Sequence, residues 1–266
     1  MADDLRCAIQ AREADLQPAG TAGSYDAYWI AEVPLPWPRE ITEHPMFDGV
    51  DVPAGTRVQG VVPAPDHVAE GHTPVLRYSR PPGPFRRYEG GEPGVSDLLV
   101  CTHGTRDRCC GSMGMSLFLS VRSRSGLRVH RTSHTGGHRF APTAVLLPEG
   151  TVWGWLDDDA LDAVLDRSRE PAELRRHYRG STAMPDAWTQ VAEAAVFAEV
   201  GWPWLDDARD ARRVDDGVVL VESTAGEWEV ELEDRGTAPQ PVCGEPIGTA
   251  TKADRQLRVM RVRQVR

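Results

Sequence analysis

Short apolar runs interrupted by proline mark the first third of the chain. An aromatic and apolar run at 25–38 ends in prolines, which predicts a strand followed by a turn. Similar runs at 56–65 and 73–82 predict two further strands, and 38–47 has the pattern of one short helix. These runs carry no cluster of metal-binding side chains, so they predict a supporting α/β part over residues 1–94.

The middle of the chain alternates between strand and helix patterns. Residues 96–101 form a short apolar run and 127–133 alternate apolar with polar residues, so both predict strands. Between them, residues 112–124 carry apolar side chains at helical spacing. Two apolar segments joined by Pro-Glu-Gly predict a hairpin within 141–156. This order of elements predicts an α/β domain over residues 95–205.

Two helix patterns follow and then give way to strands. Residues 157–180 predict a helix with a break at Pro171, and 184–202 predict an Ala-rich helix that ends at Gly201. Beyond them, strand-like segments separated by short turns predict a small antiparallel β unit over residues 206–266. The whole pattern therefore predicts an α/β protein organised in three parts.

Composition and charge narrow the class of protein. Of the 266 residues, 40% are hydrophobic and 26% are charged, which is ordinary for a globular protein with its own core. The formal net charge of −10 disfavours nucleic-acid binding, which depends on Lys and Arg, and suits docking onto a basic partner. The acidic start lacks the apolar segment of a signal peptide, and no stretch approaches a membrane span. We therefore expect a cytoplasmic protein with no nucleic-acid or membrane partner.

Cysteine and histidine are concentrated in residues 98–140. Cytoplasmic thiols stay reduced, so clustered cysteines indicate metal binding or redox chemistry rather than a disulfide scaffold. Thiolates and imidazoles are also the ligands that iron, zinc and copper prefer. Cys7 and Cys243 lie alone near the two ends, and we interpret them as bystander thiols. The clustered residues are Cys101, His103, Cys109, Cys110, His130, His134 and His138.

Two pairs in this stretch have the surroundings of metal ligands. Cys101 ends a predicted strand and Cys110 precedes a predicted helix, whose free N–H groups stabilise a thiolate. His134 and His138 are separated by Thr-Gly-Gly. Two glycines destabilise a helix by about 2 kcal/mol relative to alanine, so we predict a tight loop here. His130, in contrast, alternates within a strand and is interpreted as a structural histidine.

The spacing leaves three kinds of site open. Classical zinc fingers place their cysteines close together and their histidines on a helix, whereas eight residues separate Cys101 from Cys110. A thioredoxin-type dithiol uses Cys-x-x-Cys, but Cys109 and Cys110 are adjacent, which strains a disulfide between them. The third kind is a 2Fe–2S cluster held by two cysteines and two histidines. Imidazole ligands raise the reduction potential of such a cluster and can couple electron transfer to proton transfer.

Two motifs carry a family resemblance. The run VCTHGTRDRCCG, followed by RTSHTGGHRFAPTAVLLPEGTVWGWL, resembles the sucrase/ferredoxin-like family over about residues 96–156. The resemblance implies a thioredoxin-like fold for the central domain and a 2Fe–2S cluster. By position, the family's ligands match Cys101, Cys110, His134 and His138, with Cys109 as an adjacent thiol.

The same resemblance implies a function in electron transfer. The expected protein is a one-electron carrier, or a component of an oxidoreductase rather than a hydrolase. Its partners would be a flavin- or ferredoxin-type reductase and an acceptor. Hydrogen bonds usually orient metal ligands, so the polar neighbours of the site are candidates to support it. These neighbours are Thr105, Arg106, Asp107 and Arg139.

Overall fold

The computed structural model of the protein consists of two β-sheets and the helices packed against them. It describes residues 5–64, 75–79, 86–89 and 94–266. Within these residues no helix is both long enough and apolar enough to cross a membrane. The α-helices of the described residues are α1 (Cys7–Glu13), α2 (Met115–Val121), α3 (Asp158–Asp166) and α4 (Ala187–Val200).

The larger sheet has nine strands in the order β4-β3-β1-β2-β6-β5-β7-β8-β9. The β1–β2 and β5–β6 pairs are parallel and the other pairs are antiparallel, so the sheet is mixed. The strands are β1 (Ala27–Glu32), β2 (Thr56–Val61), β3 (Val75–Ser79), β4 (Arg86–Glu89), β5 (Ser96–Cys101), β6 (Leu127–Thr132), β7 (Ala144–Leu147), β8 (Thr151–Trp153) and β9 (Tyr178–Ser181).

The centre of this sheet confirms the α/β prediction. Strand β5 runs parallel to β6, with α2 between them in sequence, and β7 lies antiparallel on the other side of β5. Strand β8 then continues the hairpin. The strands predicted at 96–101 and 127–133 and the hairpin within 141–156 are all present. This arrangement is compatible with the thioredoxin-like expectation, and it brings the end of β5 beside the end of β6.

The smaller sheet confirms the predicted antiparallel unit near the end of the chain. Its four strands follow one another in the order β10-β11-β12-β13, and all three pairs are antiparallel. Strands β1–β4 share the large sheet with β5–β9, while the boundaries at 94/95 and 205/206 stay a prediction. The strands are β10 (Arg209–Asp215), β11 (Val218–Ser223), β12 (Gly226–Pro239) and β13 (Ala253–Gln264).

Helix α4 packs between the two sheets and confirms the helix predicted at 184–202. It begins with a capping box, in which the Asp186 carboxylate accepts from the Thr189 N–H at 2.9 Å and the Thr189 hydroxyl accepts from the Asp186 N–H at 3.1 Å. It ends at Gly201, whose φ of +91° lies in a region that favours glycine. Its buried Val196 and Phe197 belong to the core that both sheets share.

Two predicted helices differ from the structure. The pattern at 38–47 folds as two short 3₁₀ turns rather than one helix. The helix predicted over 157–180 ends at Asp166, because Arg167 takes a left-handed conformation with φ +51°. Residues Tyr178–Ser181 instead form the edge strand β9, where pairing with β8 buries them. Here tertiary pairing overrides the local helical pattern.

Candidate metal centre

The two predicted cysteine ligands come from elements that meet at the end of β5. Cys101 is the last residue of β5, and Cys110 is the first residue of a π-helical turn, Cys110–Gly114, that leads into α2. Both thiols are buried. A Cβ atom at Gly114 would collide with the carbonyl oxygen of Cys101, so glycine lets the turn pack against the strand. This packing holds the two sulfur atoms on the same side of the fold.

The two predicted histidine ligands lie in a tight loop after β6, as the Thr-Gly-Gly spacing predicted. Gly136 and Gly137 have φ values of +89° and +68°, which side-chain-bearing residues rarely adopt. His138 then begins a short 3₁₀ turn. The sharp reversal at the two glycines brings His134 and His138 back towards each other, with ring centroids 5.9 Å apart.

Hydrogen bonds hold both the N–H and the carbonyl oxygen of His134. Its N–H donates to Nδ1 of His103 at 3.1 Å. Its carbonyl oxygen accepts from Nε2 of Gln59 at 3.2 Å and from the Arg57 guanidinium. His103 therefore supports the loop through a hydrogen bond.

Three of the four predicted ligands converge. Nδ1 of His134 lies 3.8 Å from Sγ of Cys101 and 4.0 Å from Sγ of Cys110, and the three donor atoms are all within 4.8 Å of one another. His138 lies beside this group, and its Nδ1 is 3.2 Å from both Asp107 Oδ2 and Cys7 Sγ. Its ring lies beside that of His134, and its Nδ1 is directed to a second set of residues.

The electrostatics of the site favour the metal-binding forms of Cys101 and His138. A hydrogen bond from Cys110 lowers the pKa of Cys101 in spite of burial, and His134 and the His103 backbone lower it further. The same sulfur pairing raises the pKa of Cys110. Burial lowers the pKa of His138 to about 4, so its imidazole is neutral at pH 7. Thiolate and neutral imidazole are the ligand forms of these side chains.

A second cluster of possible metal ligands lies next to His138, and the sequence analysis did not predict it. It contains Cys7 at the start of α1, Asp107 and Cys109 before the π-helical turn, and Cys243 in the loop between β12 and β13. The interpretation of Cys7 and Cys243 as isolated thiols is wrong: Sγ of Cys243 is 3.4 Å from Sγ of Cys7 and 3.3 Å from Sγ of Cys109. Cys7 and Cys243 are 236 positions apart, so no local pattern joins them. The one available signal was Cys109, a thiol that the first site does not need.

Burial shapes the ionisation of this second cluster. Burial and the neighbouring Cys243 raise the pKa of Asp107 to about 6. Hydrogen bonds from Cys109 and Cys7 lower the pKa of Cys243, whereas hydrogen bonds with Cys109 and Cys243 raise that of Cys7. A hydrogen bond with Cys243 likewise raises the pKa of Cys109.

The other predicted supporting residues make contacts elsewhere. The Thr105 hydroxyl donates to the Trp37 carbonyl oxygen at 3.2 Å, Arg106 pairs with Glu40, and Arg139 pairs with Asp254. Of the four predicted residues, only Asp107 has a contact to a predicted ligand in the described part of the chain, through His138. The prediction of a structural role for His130 is confirmed, since its Nε2 is 2.8 Å from buried Asp97.

Arg179 is a further supporting residue that the sequence did not reveal. It lies in β9, is fully buried, and donates to the Gly136 carbonyl oxygen at 3.0 Å and to the Thr21 hydroxyl at 3.1 Å. A Cβ atom at Gly137 would collide with its guanidinium. Arg179 therefore packs under the histidine loop and holds it against the large sheet.

The donor set at the first site is chemically suited to iron–sulfur chemistry. Two buried thiols and two adjoining imidazoles are the ligands of a mixed cysteine–histidine 2Fe–2S cluster. The Cys101 sulfur accepts a hydrogen bond from the His103 backbone, a type of contact that tunes cluster potentials. The residues present thus fit such a group.

Comparison with known proteins finds a family match that covers the two motifs. A family model described as sucrase/ferredoxin-like matches residues 52–180. The chain is also similar to altered inheritance of mitochondria protein 32 from Meyerozyma guilliermondii, with 30% identity over 94 residues that cover 31% of this chain and 33% of that protein. The chain thus spans a third of the curated relative that it matches. No solved structure gives a significant match. Residues 52–180, which contain both motifs, are thus the part of this chain that matches the sucrase/ferredoxin-like family model.

Proposed function

We propose that the protein is a one-electron carrier whose 2Fe–2S cluster is held by Cys101, Cys110, His134 and His138. The observation that carries this proposal is the convergence of the Cys101, Cys110 and His134 donor atoms within 4.8 Å, with the His138 ring beside them. A binuclear cluster divides its ligands between two irons, so the four donors need not all be mutual neighbours. The sucrase/ferredoxin-like match over the same motifs supports the proposal.

When bound, such a cluster accepts and releases single electrons, at a potential raised by its imidazole ligands. The chain's own residues set its surroundings. Burial of Cys101 and Cys110 keeps water from the two thiolates. The side chain of His138 is 22% exposed, so the histidine side of the site faces solvent. An imidazole with this exposure can exchange a proton, which would couple electron and proton transfer.

A cleft beside His134 gives a partner access to the site. It has a volume of about 160 Å³ and is lined by His103 and His134 together with Arg39, Glu40 and Arg57, among others. The proposed partners are a flavin- or ferredoxin-type reductase and an electron acceptor. The net charge of −10 favours partners with a basic surface. Unlinked cysteines throughout the chain suit a reducing compartment, and we propose the cytoplasm.

The test is spectroscopic. Protein purified without oxygen should be red-brown and contain about two irons and two sulfides per chain. Electron paramagnetic resonance of the reduced protein should then change in His134→Cys and His138→Cys. The control His44→Gln alters a histidine that caps a short 3₁₀ turn and is not a proposed ligand, and it should leave the spectrum unchanged. A colourless protein with zinc at Cys101 and Cys110 would overturn the proposal. So would spectra of His134→Cys and His138→Cys that are both unchanged from that of the wild type.

A further inference from the structure

The second cluster, formed by Cys7, Asp107, Cys109 and Cys243, has the composition of a metal site. Its four donor atoms all lie within 4.8 Å of one another. Oδ1 of Asp107 is 3.5 Å from Sγ of Cys243 and 3.6 Å from Sγ of Cys7. Three thiols and a carboxylate converge from three distant parts of the chain, which is more than packing of small apolar side chains requires.

The sulfur separations indicate a single ion. Around a tetrahedral zinc with Zn–S bonds of about 2.3 Å, neighbouring sulfurs are about 3.8 Å apart. The observed separations of Cys243 from Cys7 and Cys109, 3.4 and 3.3 Å, are close to that edge length. They are well beyond the disulfide bond length of about 2.05 Å. A polynuclear cluster inserted among these three sulfurs would need wider spacing.

The surroundings indicate a closed site. The side chains of Cys7 and Cys109 are fully buried, that of Asp107 is 3% exposed, and Cys243 is partly buried. The Cys7 N–H donates to Sγ of Cys243 at 3.4 Å, and the Cys109 N–H donates to Oδ1 of Asp107 at 2.8 Å. These bonds orient the donors as supporting contacts orient known metal ligands. Four protein donors leave no open position, which is the pattern of structural rather than catalytic zinc.

We propose that Cys7, Asp107, Cys109 and Cys243 bind one structural zinc ion. Thiolate-rich tetrahedral sites select zinc or iron–sulfur clusters, and the short sulfur separations here favour the single ion. The ion joins α1 and the β12–β13 loop to the segment that carries Cys110. The same parts of the chain are already in contact, since the Gly244 N–H donates to the Leu5 carbonyl oxygen at 2.8 Å.

This assignment also resolves the roles of the adjacent thiols Cys109 and Cys110. The polypeptide directs Cys110 to the site of Cys101 and His134, and Cys109 to the site of Cys7 and Cys243. The two sites are adjacent, because Asp107 of the second site contacts His138 of the first. Each site has its own thiols, so each metal can be removed by its own substitutions.

Metal analysis of matched variants tests the proposal. Wild-type protein purified with zinc and iron present should hold about one zinc per chain that survives gel filtration. Cys243→Ser should remove that zinc and keep the visible absorbance of the first site. Cys101→Ser should instead keep the zinc and lose the visible absorbance of the first site. The zinc count in Cys243→Ser is measured whether or not the first site holds a cluster, so failure of one proposal is distinguishable from failure of the other.

A second measurement guards against misfolding of the variants. Wild-type protein freed of metal should bind Co²⁺ with the visible absorption of a thiolate-coordinated tetrahedral ion, and added Zn²⁺ should abolish that absorption. Cys101→Ser should retain this response. Zinc content unchanged in Cys243→Ser, or a disulfide among these cysteines found by alkylation of the unreduced native protein, would overturn the assignment.

Discussion

Oδ2 of Asp107 lies 3.2 Å from Nδ1 of His138, so one carboxylate contacts the ring of a proposed cluster ligand while its other oxygen accepts from the Cys109 N–H. A carboxylate in contact with one ring nitrogen sets the tautomer of an imidazole and leaves the other nitrogen to a metal. This contact makes Asp107 a supporting residue of His138, although Asp107 also belongs to the second cluster. Asp107 thereby connects the two proposed sites.

Replacing Asp107 with alanine should weaken both sites. Loss of a supporting carboxylate typically reduces metal affinity by about 10- to 100-fold, and here it also removes a proposed zinc ligand. Iron and zinc analysis should therefore show both metals reduced in Asp107→Ala, in contrast to Cys243→Ser, which loses zinc alone. Asp51→Ala, at an exposed position, is the control and should retain both. Full iron occupancy in Asp107→Ala would contradict the supporting role.

Elements set by local pattern were predictable from the sequence. The apolar run before Cys101, the alternation of β6 and the Ala-rich helix α4 all fold as predicted, because burial and local propensity favour the same structure. Strand β9 was not predictable, because its burial comes from pairing with β8, and residues 157–180 taken alone look helical. The family resemblance supplied the proposed ligands of the first site.

The second cluster was beyond the reach of sequence reasoning. Cys7 and Cys243 meet only because α1 and the β12–β13 loop pack on the same face of the fold, and no spacing rule links positions so far apart. Arg179 is similar, since its contact with the histidine loop depends on where β9 joins the sheet. The sequence did contain an additional thiol, Cys109, but Cys7 and Cys243 come close to it only in the folded chain.

The two glycines of the histidine loop should respond differently to alanine. Both have positive φ, so either substitution strains the backbone by about 1 kcal/mol or more. At Gly137 the new Cβ also collides with Arg179, whereas at Gly136 nothing lies within 4 Å. Urea denaturation should therefore show a larger loss of stability for Gly137→Ala, by about 1–3 kcal/mol from overpacking. Equal losses of stability in the two variants would show that the Arg179 side chain moves aside without cost, which would contradict this prediction.

Asp97 should stabilise the fold in a pH-dependent manner. Burial raises its pKa, but hydrogen bonds from His130 and Arg128 outweigh burial and hold the pKa below its usual range. A lowered folded-state pKa contributes stability that is fully present above the unfolded value of about 3.9 and is lost as pH falls below it. The wild-type protein should therefore lose stability below about pH 4 partly through this group.

The variant Asp97→Asn isolates that contribution. Removing the charge leaves Arg128 without its 2.7 and 2.8 Å bonds to a carboxylate, so stability at pH 7 should fall by about 3 kcal/mol. The gap between variant and wild type should shrink as the pH is lowered through 4. Asp162→Asn, which breaks an exposed pair with Arg124, should change stability by about 1 kcal/mol or less. A gap for Asp97→Asn that is constant from pH 7 to 3 would contradict the assignment.

Cys109→Ser and Cys110→Ser should have opposite effects although the residues are neighbours. Cys110 Sγ lies 4.0 Å from Nδ1 of His134, whereas Cys109 Sγ lies 3.3 Å from Sγ of Cys243. Cys110→Ser should therefore lose the visible absorbance and the electron paramagnetic resonance signal while keeping zinc. Cys109→Ser should keep both spectroscopic signals and lose zinc. Because the two changes are chemically identical and both positions are buried, general destabilisation would affect them alike. Loss of the spectroscopic signals in Cys109→Ser with their retention in Cys110→Ser would reverse the assignment of the two thiols.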